Sequence, residues 1–225
     1  MPTYSQGPKL LKGAIVAIDL STPQQRQTTI VFQYNPEKVS RTLAIQSSGQ
    51  TDEGPDRALR YKGPPSETFT LRAQLDATDA LEHNDATARA LGIYPQLFAL
   101  EVLAYPASAD VIDISKLANQ GKVEVGSGYA APLTLLVWGP QRVLPVLLTN
   151  VVVEETNFDP QLNPVQAEVT LTLRALTYAD VDKKHKAYSL FLAYQKSKER
   201  QATQGVVGGE YARNLIGVDI RTRLG

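Results

Sequence analysis

Glu67-Thr68-Phe69-Thr70-Leu71-Arg72-Ala73-Gln74-Leu75 alternates polar and apolar side chains with a period of two. Successive side chains of an extended chain point to opposite faces, so Phe69, Leu71, Ala73 and Leu75 share one face while Thr68, Thr70, Arg72 and Gln74 share the other. This stretch predicts a strand with one buried face. Residues 166–176 repeat the pattern, with Val169, Leu171 and Leu173 alternating against Thr170, Thr172 and Arg174.

Further strands follow on either side. Residues 10–20 carry Leu11, Ile15 and Val16 and end at Ser21-Thr22-Pro23, a turn signal. Residues 28–33 alternate Ile30 and Phe32 with Thr29 and Val31. Tyr34-Asn35-Pro36-Glu37 reads as a turn, and residues 39–45 as another half-buried strand. Residues 133–138 and 142–154 return to extended structure, with Pro145 indicating an edge position or a bend.

The intervening segments differ. Residues 46–66 are polar, rich in Gly and Pro and without a periodic apolar face, which predicts a long loop free to reach a neighbour. Residues 76–91 are Ala-rich, with Asp and Thr as capping candidates and Gly92 as a stop. Pro95 suits the first turn of a second helix over 96–103. In residues 180–203, Tyr188, Leu190, Phe191, Leu192 and Tyr194 lie within a Lys-rich stretch and predict a surface helix docking by one aromatic face. Beyond Gly205 the tail is Gly-punctuated and carries Arg221 and Arg223.

The expected fold is therefore mainly β with a helical insertion: a β-barrel or sandwich plus a C-terminal helix and tail. The expected division is a β domain at 1–179, with its helical insertion around 76–106, and an appendage at 180–225.

Chemistry is sparse. The 225 residues include no Cys, which excludes thiolate metal sites and Cys nucleophiles, and only His83 and His185 could serve a triad. Gly126-Ser127-Gly128 lacks the Lys-Ser/Thr that completes a phosphate loop and reads as a turn. The acids Asp52-Glu53, Glu154-Glu155 and Asp76 with Asp79 read as solvated carboxylates. Asp76, Asp79, Glu82 and His83 read as helix-start acids before they read as a cation site. No catalytic residue, cofactor or metal is expected.

Lys plus Arg and Asp plus Glu both total 23, so no net field recruits nucleic acid or anionic lipid. Residues 1–12 lack a signal-peptide core, and no apolar run approaches the ~18 residues that suggest a membrane span. Cytoplasmic synthesis without membrane insertion is the expectation.

Candidate contact residues are Asn35, Pro36 and Glu37 in the turn, and Arg57, Arg60 and Tyr61 in the long loop. Trp138 (a core anchor before it is a contact), the helix aromatics Tyr188, Phe191 and Tyr194, and Arg221 and Arg223 complete the set.

Several of these segments together resemble the contractile injection system tube-like family of phage-tail-like particles. They are Phe32-Gln33-Tyr34-Asn35-Pro36-Glu37, Ser40-Arg41-Thr42-Leu43, Gly63-Pro64-Pro65 and the strand from Phe69 to Leu75. Downstream come Gly92-Ile93-Tyr94-Pro95-Gln96-Leu97, Leu103-Ala104-Tyr105-Pro106, the run from Pro132 to Trp138-Gly139, and Phe158 with Leu162-Asn163-Pro164-Val165-Gln166-Ala167 feeding the strand Val169 to Leu173. The resemblance implies a tube-type β-barrel in a six-fold ring that joins the inner tube to the baseplate and sheath, a structural subunit and not an enzyme. A LysM module usually follows in that family; here the Lys-rich helix and tail stand in its place, so glycan binding is not carried over. Its implied partners are copies of itself and tube, baseplate and sheath proteins, in a particle that is released or membrane-anchored. A tube-initiating or tube-capping ring is the nearest alternative. A particle-associated hydrolase or a ligand-binding barrel is the alternative of another class.

Overall fold

The computed structural model describes residues 10–20, 26–47, 61–105, 108 and 131–206. Among them are seven strands and four helices, in the order β1 Ala14–Ile18, β2 Gln27–Val31, β3 Val39–Ala44, β4 Ser66–Asp76, α1 Thr78–Glu82, α2 Ala86–Leu91, α3 Tyr94–Glu101, β5 Leu133–Val137, β6 Val143–Phe158, β7 Pro164–Ala175 and α4 Lys186–Gly205. The strands form one antiparallel sheet in the order β2-β1-β5-β6-β7-β4-β3. The architecture is mainly β with a helical insertion and a C-terminal helix, built on one sheet rather than the two of a sandwich.

The alternation sets the register. Leu148, Leu173 and Phe69 lie side by side across β6, β7 and β4; Val151, Leu171, Leu71 and Val39 form the next row, and Val153, Val169 and Ala73 the one after. A one-residue slip would send every one of these side chains to the opposite face. Phe69, Leu71, Val169, Leu171 and Leu173 are fully buried, and each such burial is worth about 1.5–3 kcal/mol. Ile15, Ile30 and Leu136 belong to the same core cluster as Phe69, Leu71 and Val39, so the sheet curls round one core.

Gln33 helps to close that curl. Its side-chain amide donates to the Asp76 carbonyl at 2.7 Å, and its oxygen accepts from the Asp76 N–H at 2.9 Å. The pair of bonds imitates a ladder rung between the end of β2 and the end of β4.

Pro145 does not lie at an edge. β6 is flanked by β5 and β7, with Pro145 opposite Leu135. The N and C=O of one residue in an antiparallel strand point to the same side. The Pro145 carbonyl accepts from Leu176 N at 2.9 Å, so its missing donor also faces β7, just before that ladder begins at Val146. The bend follows at a register shift between Leu148 and Asn150.

The helix expected over residues 76–91 is two helices. Asn84 sits at φ 56°, which ends α1, and Asp85 restarts the chain by accepting from Ala88 N at 2.8 Å. α3 opens with proline near its start, and α2 and α3 contribute Ala88, Leu97 and Leu100 to the core. At the other end of the chain, α4 begins at His185, whose Nδ1 accepts from Ala187 N at 3.1 Å. The ring is therefore a cap. Ala187 then packs with Val16, Leu133 and Leu135 in a second cluster, while Tyr194 joins the main core.

The turn into α4 is pinned by Asp180. Its carboxylate accepts from Arg174 Nη1 at 2.7 Å and from Thr177 N and Oγ1, each at 2.8 Å. Partial burial pushes the carboxyl upward, but the bonds from Thr177 and the Arg174 charge outweigh it and hold it below the ordinary 3.8. A depressed folded-state value stabilises the fold above the unfolded value and is lost as pH falls through the folded one. Asp180→Asn should therefore cost about 1 kcal/mol at neutral pH after solvent screening. Thermal melts should show that deficit at pH ~7 and its disappearance towards pH ~2; a deficit that persists in acid would assign the effect to shape and not charge.

Candidate functional site

Among the described residues the sheet has two open edges. β2 exposes Gln27, Thr28, Thr29 and Val31, and β3 exposes every residue from Ser40 to Ala44. Phe32 N donates to Gly13 O at 3.0 Å and Asp19 N to Arg26 O at 2.9 Å, so the even-numbered residues of β2 bond to β1. The backbone groups of Gln27, Thr29 and Val31 then point outward from the edge. Neither a charged side chain nor a proline guards the Gln-Thr-Thr-Ile-Val run of β2, and such an unguarded edge is a template for another strand.

The link between these two edges carries Asn35, Pro36 and Glu37. Asn35 accepts from Gly13 N at 2.8 Å and donates to Leu11 O at 2.9 Å, which ties it to the segment entering β1. Pro36 is buried and Glu37 exposed. Together with Tyr34 and Lys38 they border an open groove of about 470 Å³ against Thr70, Arg72, Gln74 and Glu168 on β4 and β7. The groove is lined by both charges, and Arg72 pairs with Glu168 at 3.1 Å. The same Arg72 charge offsets the direct opposition of Glu168 and Glu154 across the β6–β7 ladder.

The other candidates are spread over the surface. Tyr61 is 73% exposed, and its bridge to Ser47, with Lys62 N donating to Gln46 O at 2.9 Å, closes the base of the long loop. Arg57, Arg60, Arg221 and Arg223, and the Gly126-Ser127-Gly128 turn, lie outside the described residues. Trp138 is half-buried against the core, 6.3 Å from Phe32 at a tilt of 56°. On α4, Phe191 and Tyr194 are buried, so their rings face inward, while Tyr188 is half-buried; Tyr178 meets Phe191 edge-on at 6.0 Å.

The acids that begin the insertion are engaged locally. Asp76 accepts from Thr78 N and Gln166 Nε2, each at 2.7 Å; partial burial raises its pKa, yet these bonds leave it lowered overall. His83 Nδ1 lies 2.6 Å from the Asp79 carbonyl. No group of three or more His, Asp or Glu side chains able to hold a metal occurs among the described residues.

Three features escape a reading of the sequence as turns and surface. The first is Glu67, 5% exposed near the start of β4. Lys198 of α4 donates to its Oε2 at 2.7 Å, and Arg41 lies 3.6 Å from Oε1, which has no hydrogen-bond partner. Parity was the available signal, since Glu67 shares the core face of Phe69. The second is Gln33, whose reach to Asp76 spans 43 positions and leaves no local trace. The third is the β6–β7 tip, where the Asp159 carboxylate accepts from Gln161 N, Asn163 N and Asn163 Nδ2, each at 2.8 Å. That frame presents Phe158 and Leu162 to solvent, with Leu162 in left-handed backbone at φ 67°.

Among the described residues the geometry defines an antiparallel β subunit with two free edges, a helical cap and a docked C-terminal helix. Residues 9–184 match the family described as contractile injection system tube protein; the chain belongs to that family and is a structural component of such a system. No individually curated protein matches it. Among the described residues no helix is long and apolar enough to cross a membrane.

Proposed function

We propose that the chain forms a six-fold ring at the junction of inner tube, baseplate and sheath, and that it acts without catalysis. The observation that carries this reading is that β2 and β3 are the outermost strands of one sheet, each without a ladder partner on its outer side among the described residues. An odd number of antiparallel strands leaves the two outermost strands running in the same direction. Copies related by rotation would then set β2 of one beside β3 of the next in parallel, a heterologous contact that builds a ring when the rotation closes. A two-fold dimer would instead join like edges in antiparallel.

The adaptor role, as against a tube-initiating or capping ring, is supported by what the subunit carries besides its sheet. The exposed β6–β7 tip and α4 give a subunit more contact elements than lateral pairing requires. Partners of different geometry above and below the ring would use them.

A producing strain lacking the chain tests the role directly, by negative-stain imaging of sedimented particles. The expected result is the absence of complete particles, with naked tubes or tubes without baseplates. Intact, contractile particles would overturn the proposal and return attention to a particle-associated enzyme or ligand-binding barrel.

A further inference from the structure

The two halves of α4 are attached to the sheet by different physics. From Lys186 to Tyr194 the helix buries Ala187, Phe191 and Tyr194, and Leu190 packs into the second cluster. Beyond Tyr194 no described residue of the helix is buried. The contacts of that half with the sheet and its turns are polar: Lys198 to Glu67 at 2.7 Å, Gln201 Nε2 to Gln141 Oε1 at 2.8 Å, and Ser197 Oγ to the same oxygen at 3.4 Å. Two of the three end on a single exposed glutamine side chain.

Glu67 is the unusual partner. A carboxylate on the core face of β4 costs more in desolvation than an exposed ion pair returns, and its Oε1 lacks a hydrogen bond. Lys198 compensates it from the helix side and also lies 4.3 Å from the Tyr194 ring centroid; Arg41 reaches it from β3. An apolar residue at either position would hold the helix without this cost. A buried charge whose closest cation sits on the helix makes the closed arrangement conditional: when the helix lifts, Glu67 regains water.

We propose that residues 195–205 form a releasable strap, hinged at Tyr194 and latched by Lys198 on Glu67. The sheet and the first half of α4 keep their structure when it opens. Opening uncovers Glu67 near the start of β4, so this surface of the subunit exists in a covered and an uncovered form. The inference stands on the intramolecular contacts alone and does not depend on the ring.

Hydrogen exchange on the intact, unassembled chain tests it. Lys198→Ala leaves Glu67 without its closest cation, and opening relieves that penalty. Exchange of the amides over 195–205 should accelerate about tenfold or more, while 186–194 and β4–β7 keep their rates. The double replacement Glu67→Met with Lys198→Met removes the buried charge together with its partner and should restore protection near the wild-type level. Unchanged exchange over 195–205 in Lys198→Ala would show that the ion pair is no latch. Acceleration spread evenly through β4–β7 would show that the pair stabilises the whole fold and that no separate strap exists. Failure of the double replacement to restore protection, with the sheet intact, would also overturn the proposal.

Discussion

Gly92→Ala is expected to cost about 3 kcal/mol and to lower the melting temperature by about 6–12 °C for a domain of this size. Gly92 adopts φ 56° and ψ −129°, backbone that side chains rarely tolerate. A Cβ built there would lie 2.1 Å from the Pro164 carbonyl oxygen, well inside contact. That oxygen cannot withdraw freely, because it accepts from Ile93 N at 3.0 Å and belongs to the first residue of β7, paired with Phe158. Ile93 is itself buried in the core. The substitution therefore separates the α2–α3 corner from the sheet end on which it rests. Gly139 supplies the control: its φ is 73°, but nothing lies within 4 Å of the place a Cβ would occupy. Gly139→Ala should cost only the backbone term, about 1–2 kcal/mol. Equal melting temperatures for the two variants would remove the steric account.

The same contrast explains what the sequence reveals and what it conceals. Period-two alternation made β4 and β7 legible because their core faces are continuous and their outer faces polar. β6 extends to Phe158, past the residue at which alternation alone would end it, because its exposed end is held by pairing with β7 and not by burial. The break between α1 and α2 depends on Asn84 adopting left-handed backbone, which composition permits but does not demand. Candidate contact residues were less legible than strands. Aromatics on a charged helix look alike whether they face a neighbour or their own sheet, and Phe191 and Tyr194 face their own sheet. Glu67 was readable by parity as a charge on an apolar face, but its partner, 131 residues away, was not.

The edges offer the sharpest test of assembly. Thr29→Pro should leave the subunit folded and prevent it from entering rings. Residues 26 and 32 bond inward to β1, so the backbone donor removed at position 29 points away from the ladder. Proline is tolerated at an edge whose N–H faces solvent, and Thr28, the residue before it, is already in the extended conformation that proline requires. The melting temperature should fall by no more than about 4 °C, whereas a proline on the bonded side would break the β1–β2 ladder. Thr29→Lys approaches the same edge differently, keeping the N–H and adding a charge of the kind that guards natural edges. Both variants should reduce ring formation at least about tenfold by sedimentation and particle imaging, if two β-ladders per subunit hold the ring. Rings formed normally by both variants would show that β2 is not a seam. Loss of rings with Thr29→Pro alone would locate the contact in the backbone donor itself, since lysine preserves that donor and changes only what surrounds it.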